Sequence, residues 1–370
     1  MKKAIITGIT GQDGSYLAEL LLAKGYETHG IVRRASTFNR SRIEHIKDFD
    51  LEDHGRLILH YGDLVDMASL LAIFSEVRPD EIYNLAAQSH VQVSFETPQY
   101  TSQVDALGVL NVLEAARVLK LPAKIYQAST SELYSGDPTE TPQNELTPFK
   151  PRSPYGVAKL YGFHIARIYR ESYGMFISNG ILFNHEGERR GESFVTRKIT
   201  QGIREIALAK RDVIHLGNLD AKRDWGYAKE YVEAMYLMLQ QPEPDDYIVA
   251  TGVQHSVREF CEEAFKEAGV TIHWEGKGLD EKGMNAEGRT LVGIDPKFYR
   301  PNEVRSLVGN SSKTQKVLRW KPKTDFKELV RIMMRHDLAG VPEEKIKALA
   351  GPGRPPRPAG AESPARTKRK

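Results

Sequence analysis

Four side chains between Gln127 and Lys159 carry groups that can work on an alcohol: the Thr130 hydroxyl, the Glu132 carboxylate, the Tyr155 phenol and the Lys159 ammonium. Tyr155 and Lys159 stand four residues apart, so a helix there would put them on one face. An isolated tyrosine ionises near pH ~10, too high for a base at neutral pH. A lysine cation beside it favours the phenolate, and a positioned phenolate is a competent general base. Taken alone, the Tyr-x-x-x-Lys spacing is a weak motif that fits an ordinary surface helix better. The surrounding elements decide between the two.

Those elements read as alternating strands and helices. Lys124–Ala128 is a strand that delivers Ser129 to Glu132 at its carboxyl end, and a polar, proline-rich loop follows. A helix is expected to open at Ser153-Pro154, where proline suits the first turn. Upstream, Ala4–Thr7 reads as a buried strand, followed by Gly8-x-x-Gly11-x-x-Gly14 and a helix ending at Gly25. Glycines there let backbone approach a pyrophosphate, and the helix N-terminus offers free amides, so Gly8, Thr10, Gly11, Gln12, Asp13 and Gly14 are candidate cofactor contacts. The second strand, Glu27–Val32, ends in Arg33-Arg34 rather than the carboxylate that would accept the ribose hydroxyls of NAD. Guanidiniums suit a 2′-phosphate and hence NADP. Arg40 and Arg42 follow, either supporting that site or contacting another subunit.

Leu57–Tyr61 leads into Gly62-Asp63-Leu64, where Asp63 can accept from an adenine amine or cap the helix Asp66–Val77. Glu81–Leu85 ends in Ala86-Ala87-Gln88-Ser89, small residues that allow close approach of a cofactor. Pro98–Lys120 reads as one long helix, with its interior polar residues Asp105 and Asn111 facing solvent. Met175–Leu182 is a sixth strand, ending in Asn184-His185-Glu186 and Arg189-Arg190. The pattern predicts an α/β fold, a Rossmann-type doubly wound parallel sheet, with ligands beyond the strands' carboxyl ends. A smaller C-terminal α/β part for substrate is expected over residues 183–340, with some crossing back of the chain. In it, Asn218–Trp225 reads as a charged loop and Trp274–Asn302 as a glycine-rich loop over a ligand. Residues 341–370 read as a basic tail.

Composition excludes several classes. The 370 residues can bury a large core, and no run approaches the ~20 apolar residues of a membrane span. One cysteine, Cys261, permits no internal disulfide, which fits a reducing cytoplasm. Net charge is +3, yet residues 351–370 hold six Lys/Arg against one acid, a net of +5, so the rest sums to −2. The folded body is not basic, and nothing points to nucleic acid. No metal-ligand spacing is present. The Gly/Pro-rich tail lacks the apolar residues needed to fold.

The segments GITGQDGSYLAELLL, GIVRRAS, NLAAQSHV, QASTSELY, TPFKPRSPYGVAKLY, FVTRKI, GNLDAKRDWGYAKEYV and RPNEV resemble the extended short-chain dehydrogenase/reductase family and, within it, are similar to the GDP-mannose 4,6-dehydratases. The likeness spans roughly residues 1–340. It implies internal redox with bound NADP: oxidation at carbon 4 of the mannose ring, loss of water across carbons 5 and 6, and hydride return to carbon 6. Tyr155, Lys159 and Thr130 would serve the oxidation and Glu132 the elimination. An epimerase or keto-sugar reductase of the same fold has no need of Glu132, and a non-catalytic NADP-binding scaffold needs none of the four. The resemblance also implies cofactor contacts from Leu64, Leu85, Ala86, Ala87, Gln88, Ser89, Tyr100, His185 and Arg190. For GDP-mannose it implies Ser89, Glu132, Tyr155, Asn184, Lys198, Gly217, Arg223, Arg300 and Glu303. A homo-oligomer, tetramer or dimer, is a further implication.

Overall fold

Apolar runs bounded by turn residues build the first half of the chain. The computed structural model describes residues 1–46, 55–299, 302 and 304–352. The early elements are β1 (Lys3–Thr7), α1 (Gln12–Ala23), β2 (Glu27–Val32), β3 (Leu57–Tyr61), α2 (Met67–Val77), β4 (Glu81–Asn84), α3 (Val91–Glu96), α4 (Pro98–Ser102), α5 (Gly108–Val118), β5 (Lys124–Ala128), α6 (Pro154–Tyr173) and β6 (Ile177–Leu182). There follow β7 (Asn184–Glu186), α7 (Val195–Ala207), β8 (Ile214–Leu216), β9 (Lys222–Tyr227), α8 (Ala228–Leu239) and β10 (Asp246–Val249). The main sheet is seven-stranded and parallel throughout, in the order β10-β6-β5-β4-β1-β2-β3. The reversal of strand order beside β1 opens the crevice where such sheets bind ligands.

Both faces of this sheet are covered, which is why its strands read as continuous apolar runs. On one face Ile5, Ile82, Ile125 and Ile177 pack with α2, α5 and α6. On the other, Ile6, Tyr83 and Tyr126 pack with Leu17 and Leu21 of α1 and with Tyr231 and Met235 of α8. Strand β10 and helix α8 therefore belong structurally to the first half although they lie beyond residue 183.

The remaining elements are β11 (Gln254–Ser256), α9 (Val257–Glu267), β12 (His273–Glu275), β13 (Lys282–Met284), β14 (Thr290–Ile294), β15 (Ser306–Leu307), α10 (Ser312–Leu318), α11 (Phe326–Leu338) and α12 (Glu343–Lys347). One small sheet is β11-β9-β15, with β7 also paired to β9, and another is β12-β13-β14-β8. Helices α7, α9 and α11 enclose a separate core with Ile214, Leu216, Leu291 and Val292.

Three loop and helix expectations change. Residues 222–227 are a buried strand, not a charged loop, because Asp224 accepts from the Thr251, Gly252 and Gly309 amides and so has partners inside. Much of 274–302 is strand: Gly276 and Gly288 have positive φ and supply turns between β12, β13 and β14. The long helix after Pro98 is interrupted by a π-helical turn, Gln103–Leu107. At the C-terminus the chain stays packed through Leu349, which is buried and whose carbonyl accepts from Asn285. Most of the basic tail lies outside the described residues.

Candidate functional site

A cavity of about 1360 Å³ lies across the carboxyl ends of the main sheet. That exceeds the space a single drug-sized ligand takes, ~300–1000 Å³, and leaves room for a dinucleotide and a nucleotide sugar side by side.

The glycine turn forms one wall. Gly8 has φ +69°, and a Cβ there would lie 2.8 Å from the Ala86 Cα; a Cβ on Gly14 would lie 2.4 Å from the Gly8 carbonyl oxygen. Only glycine permits this packing of turn against helix. Gly11 is the N-cap of α1 and offers no side-chain acceptor, so the first amides of the helix stay available to an anion. Two buried polar atoms on this wall and beside it, Gln12 Oε1 and Ser129 Oγ, have no protein partner. Glycine cradle, open helix terminus and unpaired polar atoms together fit a bound dinucleotide.

Most predicted cofactor contacts line the cavity: Thr10, Asp13, Arg33, Asp63, Leu64, Leu85, Ala86, Ala87, Ser89, Tyr100, His185 and Arg190 with the turn residues. Gln88 does not. Its amide N–H donates to Asp105 at 2.7 Å, and its side chain donates to Thr101 and the His90 carbonyl. It braces the neighbouring helices instead. Of the two strand-end arginines only Arg33 faces in, donating to the Tyr100 hydroxyl. Arg34 stacks over the Tyr61 ring. Arg42 also lines the cavity and donates to the Arg189 carbonyl at 2.7 Å.

Thr130, Glu132, Tyr155 and Lys159 are buried and line the same cavity. The sequence positions them locally. Thr130 Oγ1 accepts from the Glu132 amide at 3.2 Å and caps a short 3-10 turn, which fixes the carboxylate relative to the hydroxyl. Ser153 Oγ accepts from the Gly156 amide and Pro154 opens α6. A Cβ on Gly156 would lie 2.6 Å from the Glu132 carbonyl oxygen, so glycine lets the start of α6 press against the Glu132 turn.

The electrostatics differ from the sequence expectation. Burial above all, then the Asp105 charge, holds the Tyr155 phenol above its ordinary value, while the Thr130 hydroxyl pulls it down. The Lys159 ammonium lies 6.0 Å from the Tyr155 ring centre and donates to the Ala128 carbonyl at 2.8 Å. Burial depresses Lys159 itself, with Asp105 opposing. Asp105 and Asn111 do not face solvent. Asp105 is 1% exposed, and Asn111 donates to the Leu64 carbonyl at 2.8 Å. Nothing in a helical repeat distinguishes such inward polar residues; their partners, the Gln88 amide and the Leu64 carbonyl, come from the loops after β4 and β3.

The other end of the cavity is cationic. Lys198 lines it with Arg211, Lys297 and Phe298, the last three missed by sequence reasoning, and Arg223, Asn184 and Gly217 line the same cavity. Lys198 lies over the Phe298 ring at 3.0 Å from its centre. Burial, then Arg211 and Lys297, depress Lys198 to about 8. Crowded cations suit a diphosphate. Arg300 and Glu303 lie outside the described residues.

The family model for GDP-mannose 4,6 dehydratase matches residues 5–333. A GDP-mannose 4,6 dehydratase 2 of Caenorhabditis elegans is 57% identical over 342 residues, covering 91% of this chain and 89% of the relative. A GDP-mannose 4,6-dehydratase of Vibrio cholerae is 54% identical over 363 residues, covering 95% and 97%. Among solved structures, the NAD complex of Thermus thermophilus UDP-glucose 4-epimerase superposes with TM-score 0.76 at 26% identity, covering 92% of this chain and 100% of the other. With a family model over most of its length and relatives this similar end to end, the chain belongs to the GDP-mannose 4,6-dehydratase family.

Proposed function

We propose that this protein is a hydro-lyase that converts GDP-mannose to GDP-4-keto-6-deoxymannose, with NADP as its cofactor and Thr130, Glu132, Tyr155 and Lys159 as catalytic residues. The observation that carries the reading is the burial of Glu132 in one cavity with the other three groups. When bound, NADP supplies a hydride acceptor at carbon 4 and returns the hydride at carbon 6.

The chain's own groups then have to move protons. Tyr155, as phenolate, takes the carbon-4 hydroxyl proton while Thr130 holds that hydroxyl. The ketone acidifies the hydrogen on carbon 5, and Glu132 removes it. The proton on Glu132 leaves with the carbon-6 hydroxyl as water. The proton held by Tyr155 balances the one carbon 5 regains. Lys159 would hold the cofactor ribose and, through its positive charge, favour the phenolate. Lys198 and Arg223, with Arg211 and Lys297 nearby, supply the positive charge that a diphosphate requires. Glu132 separates this reading from an epimerase, which needs no second base.

A homo-oligomer is part of the reading. Val157, Tyr161 and Ile168 of α6 are exposed at helical spacing, and Leu107 beside them is half exposed. Such a stripe on neighbouring helices suits a second copy of the chain. Among the described residues no helix is long and apolar enough to cross a membrane, and the lone, buried Cys261 fits a reducing cytoplasm.

The test is mass spectrometry of the purified protein incubated with GDP-mannose. Loss of one water from the sugar nucleotide, with no net NADPH formed, is the expected result. Glu132→Gln should then bind substrate but stop elimination. Unchanged GDP-mannose in the presence of retained NADP would overturn the reading.

A further inference from the structure

Asp105 is a buried acid that the mechanism above does not use. It sits in the π-helical turn Gln103–Leu107, between α4 and α5. Such turns widen the helix by one residue and recur at functional sites. The turn is pressed against α6: a Cβ on Gly162 would lie 3.3 Å from the Asp105 carbonyl oxygen and 3.2 Å from Val109. Gly162 follows Lys159 by three residues and so lies on the same helix face as the proposed lysine.

One oxygen of Asp105 accepts from the Gln88 amide at 2.7 Å. The other, Oδ2, is buried and has no partner. A carboxylate half satisfied in this way costs free energy unless a nearby charge offsets it. Among the described residues the cation acting on it is Lys159. The Lys159 ammonium donates to the Ala128 carbonyl and the Asp105 Oδ2 has no hydrogen-bond partner, so the two do not pair directly, but charges in a dry interior act over longer distances. Asp105 does not line the cavity, so it reaches a ligand only through other groups.

We infer that Asp105 is a positioning residue that keeps the Lys159 ammonium charged and thereby sets the pH window in which Tyr155 and Lys159 work. The inference rests on the roles proposed for those two residues. The groups that bear on it are few. From α6 come Lys159 and Tyr155, and from the loop after β4 the Gln88 amide. Glu132 and Arg190 act on Tyr155 from the turn after β5 and the loop before α7. Glu114 and Arg117 of α5 pair with each other. Asp105 pushes Lys159 up and Tyr155 up as well, and burial brings Asp105 itself up to about 6. The overall reaction neither takes up nor releases a proton, so the acid has no role as a proton outlet; its effect is electrostatic.

Asp105→Asn tests this, because asparagine retains the acceptor for the Gln88 amide and removes the charge. In the NADP-loaded enzyme both limbs of the kcat–pH profile should move to lower pH by roughly one unit, the usual effect of a nearby charge. The KM for GDP-mannose should stay within about twofold, since Asp105 lies off the cavity. A purely structural role would lower kcat and leave the limbs where they are, and that result overturns the inference. A second readout does not need turnover. With tyrosine labelled at Cζ with ¹³C and the Tyr155 signal assigned by Tyr155→Phe, the phenol should titrate lower in Asp105→Asn than in the parent. An unchanged titration overturns the inference even if GDP-mannose proves not to be the substrate. If Asp105→Asn does not fold, the Asp105 carboxyl can be titrated by ¹³C in Lys159→Met. Its pKa should rise above the parent value, and no change would again overturn it.

Discussion

His185 presents both ring nitrogens to acceptors. Nδ1 faces the Phe183 carbonyl at 2.7 Å and Nε2 faces the Asp13 carboxylate at 2.8 Å, with the ring stacked on Tyr231. A nitrogen facing a carbonyl has to carry hydrogen, and one facing a carboxylate gains by carrying it, so the imidazolium is favoured. Burial pulls His185 down, but the Asp13 charge and hydrogen bond outweigh it and hold the ring above its ordinary value. Burial likewise pushes Asp13 up, and His185, with Gln12 and Arg190, outweighs that and holds the carboxyl below its ordinary value. The signs follow by linkage. The raised His185 contributes stability fully below its ordinary value of 6.5, and this is lost as pH rises through the folded value. The depressed Asp13 contributes fully above 3.8, and this is lost as pH falls through its folded value. The pair is therefore complete between 3.8 and 6.5. His185→Gln should cost about 1.5–3 kcal/mol there, the range of a charge-assisted hydrogen bond. The gap between parent and variant Tm should narrow at higher pH. A gap constant from pH 5 to 9 would contradict a charged pair.

At the scale of elements, α6 organises the site because one of its faces does three things. Tyr155 and Lys159 reach the cavity, Gly156 meets the Glu132 turn, and Gly162 meets the π-helical turn. Contact through glycine leaves no soft side chain to absorb a change. At Gly156 an added methyl would sit 2.6 Å from a backbone oxygen, so α6 or the turn has to move. Gly156→Ala should therefore displace Tyr155 relative to Glu132. A misplacement near 1 Å costs roughly 10²-fold in rate, and overpacking costs about 1–3 kcal/mol. The expected outcome is a kcat loss of that order in a protein that still folds, followed by turnover assay and thermal melting. Parent-like kcat would show that the two elements are not in the contact described.

On the scale of the whole molecule, the seven-stranded sheet supplies one side of the cavity, while α7 and the cationic end supply the other. The outer face of α6 remains open. Ile168 is 51% and Val157 56% exposed, so a charge there should be nearly neutral for the isolated fold. In an assembled interface it would be costly. Ile168→Glu is expected to leave the melting of the fold within about 1 kcal/mol while lowering the mass measured by sedimentation. A parent protein that sediments as a monomer would remove the basis for the proposed homo-oligomer.

Local patterns determined much of this protein. The order of the first six strands, the glycine turn after β1, the helix opening at Ser153-Pro154 and the chemical types at Thr130, Glu132, Tyr155 and Lys159 are all readable because each depends on residues close in the chain. The tertiary structure alone decided the rest. Strand β10 joins β6 across a gap of more than sixty residues, a pairing that no local period encodes. Asp224 looks like part of a charged loop until three amides from two distant loops converge on it. Asp105 looks like a surface residue of a regular helix until a π-helical turn packs against α6 and turns its carboxylate to the Gln88 amide. Burial then raises Tyr155, which a neighbouring lysine in the sequence suggests should be lowered. Residue type and spacing fix what a group can do. The dielectric around it and the charges brought near from elsewhere fix at what pH it does it, and those exist only once the chain has folded.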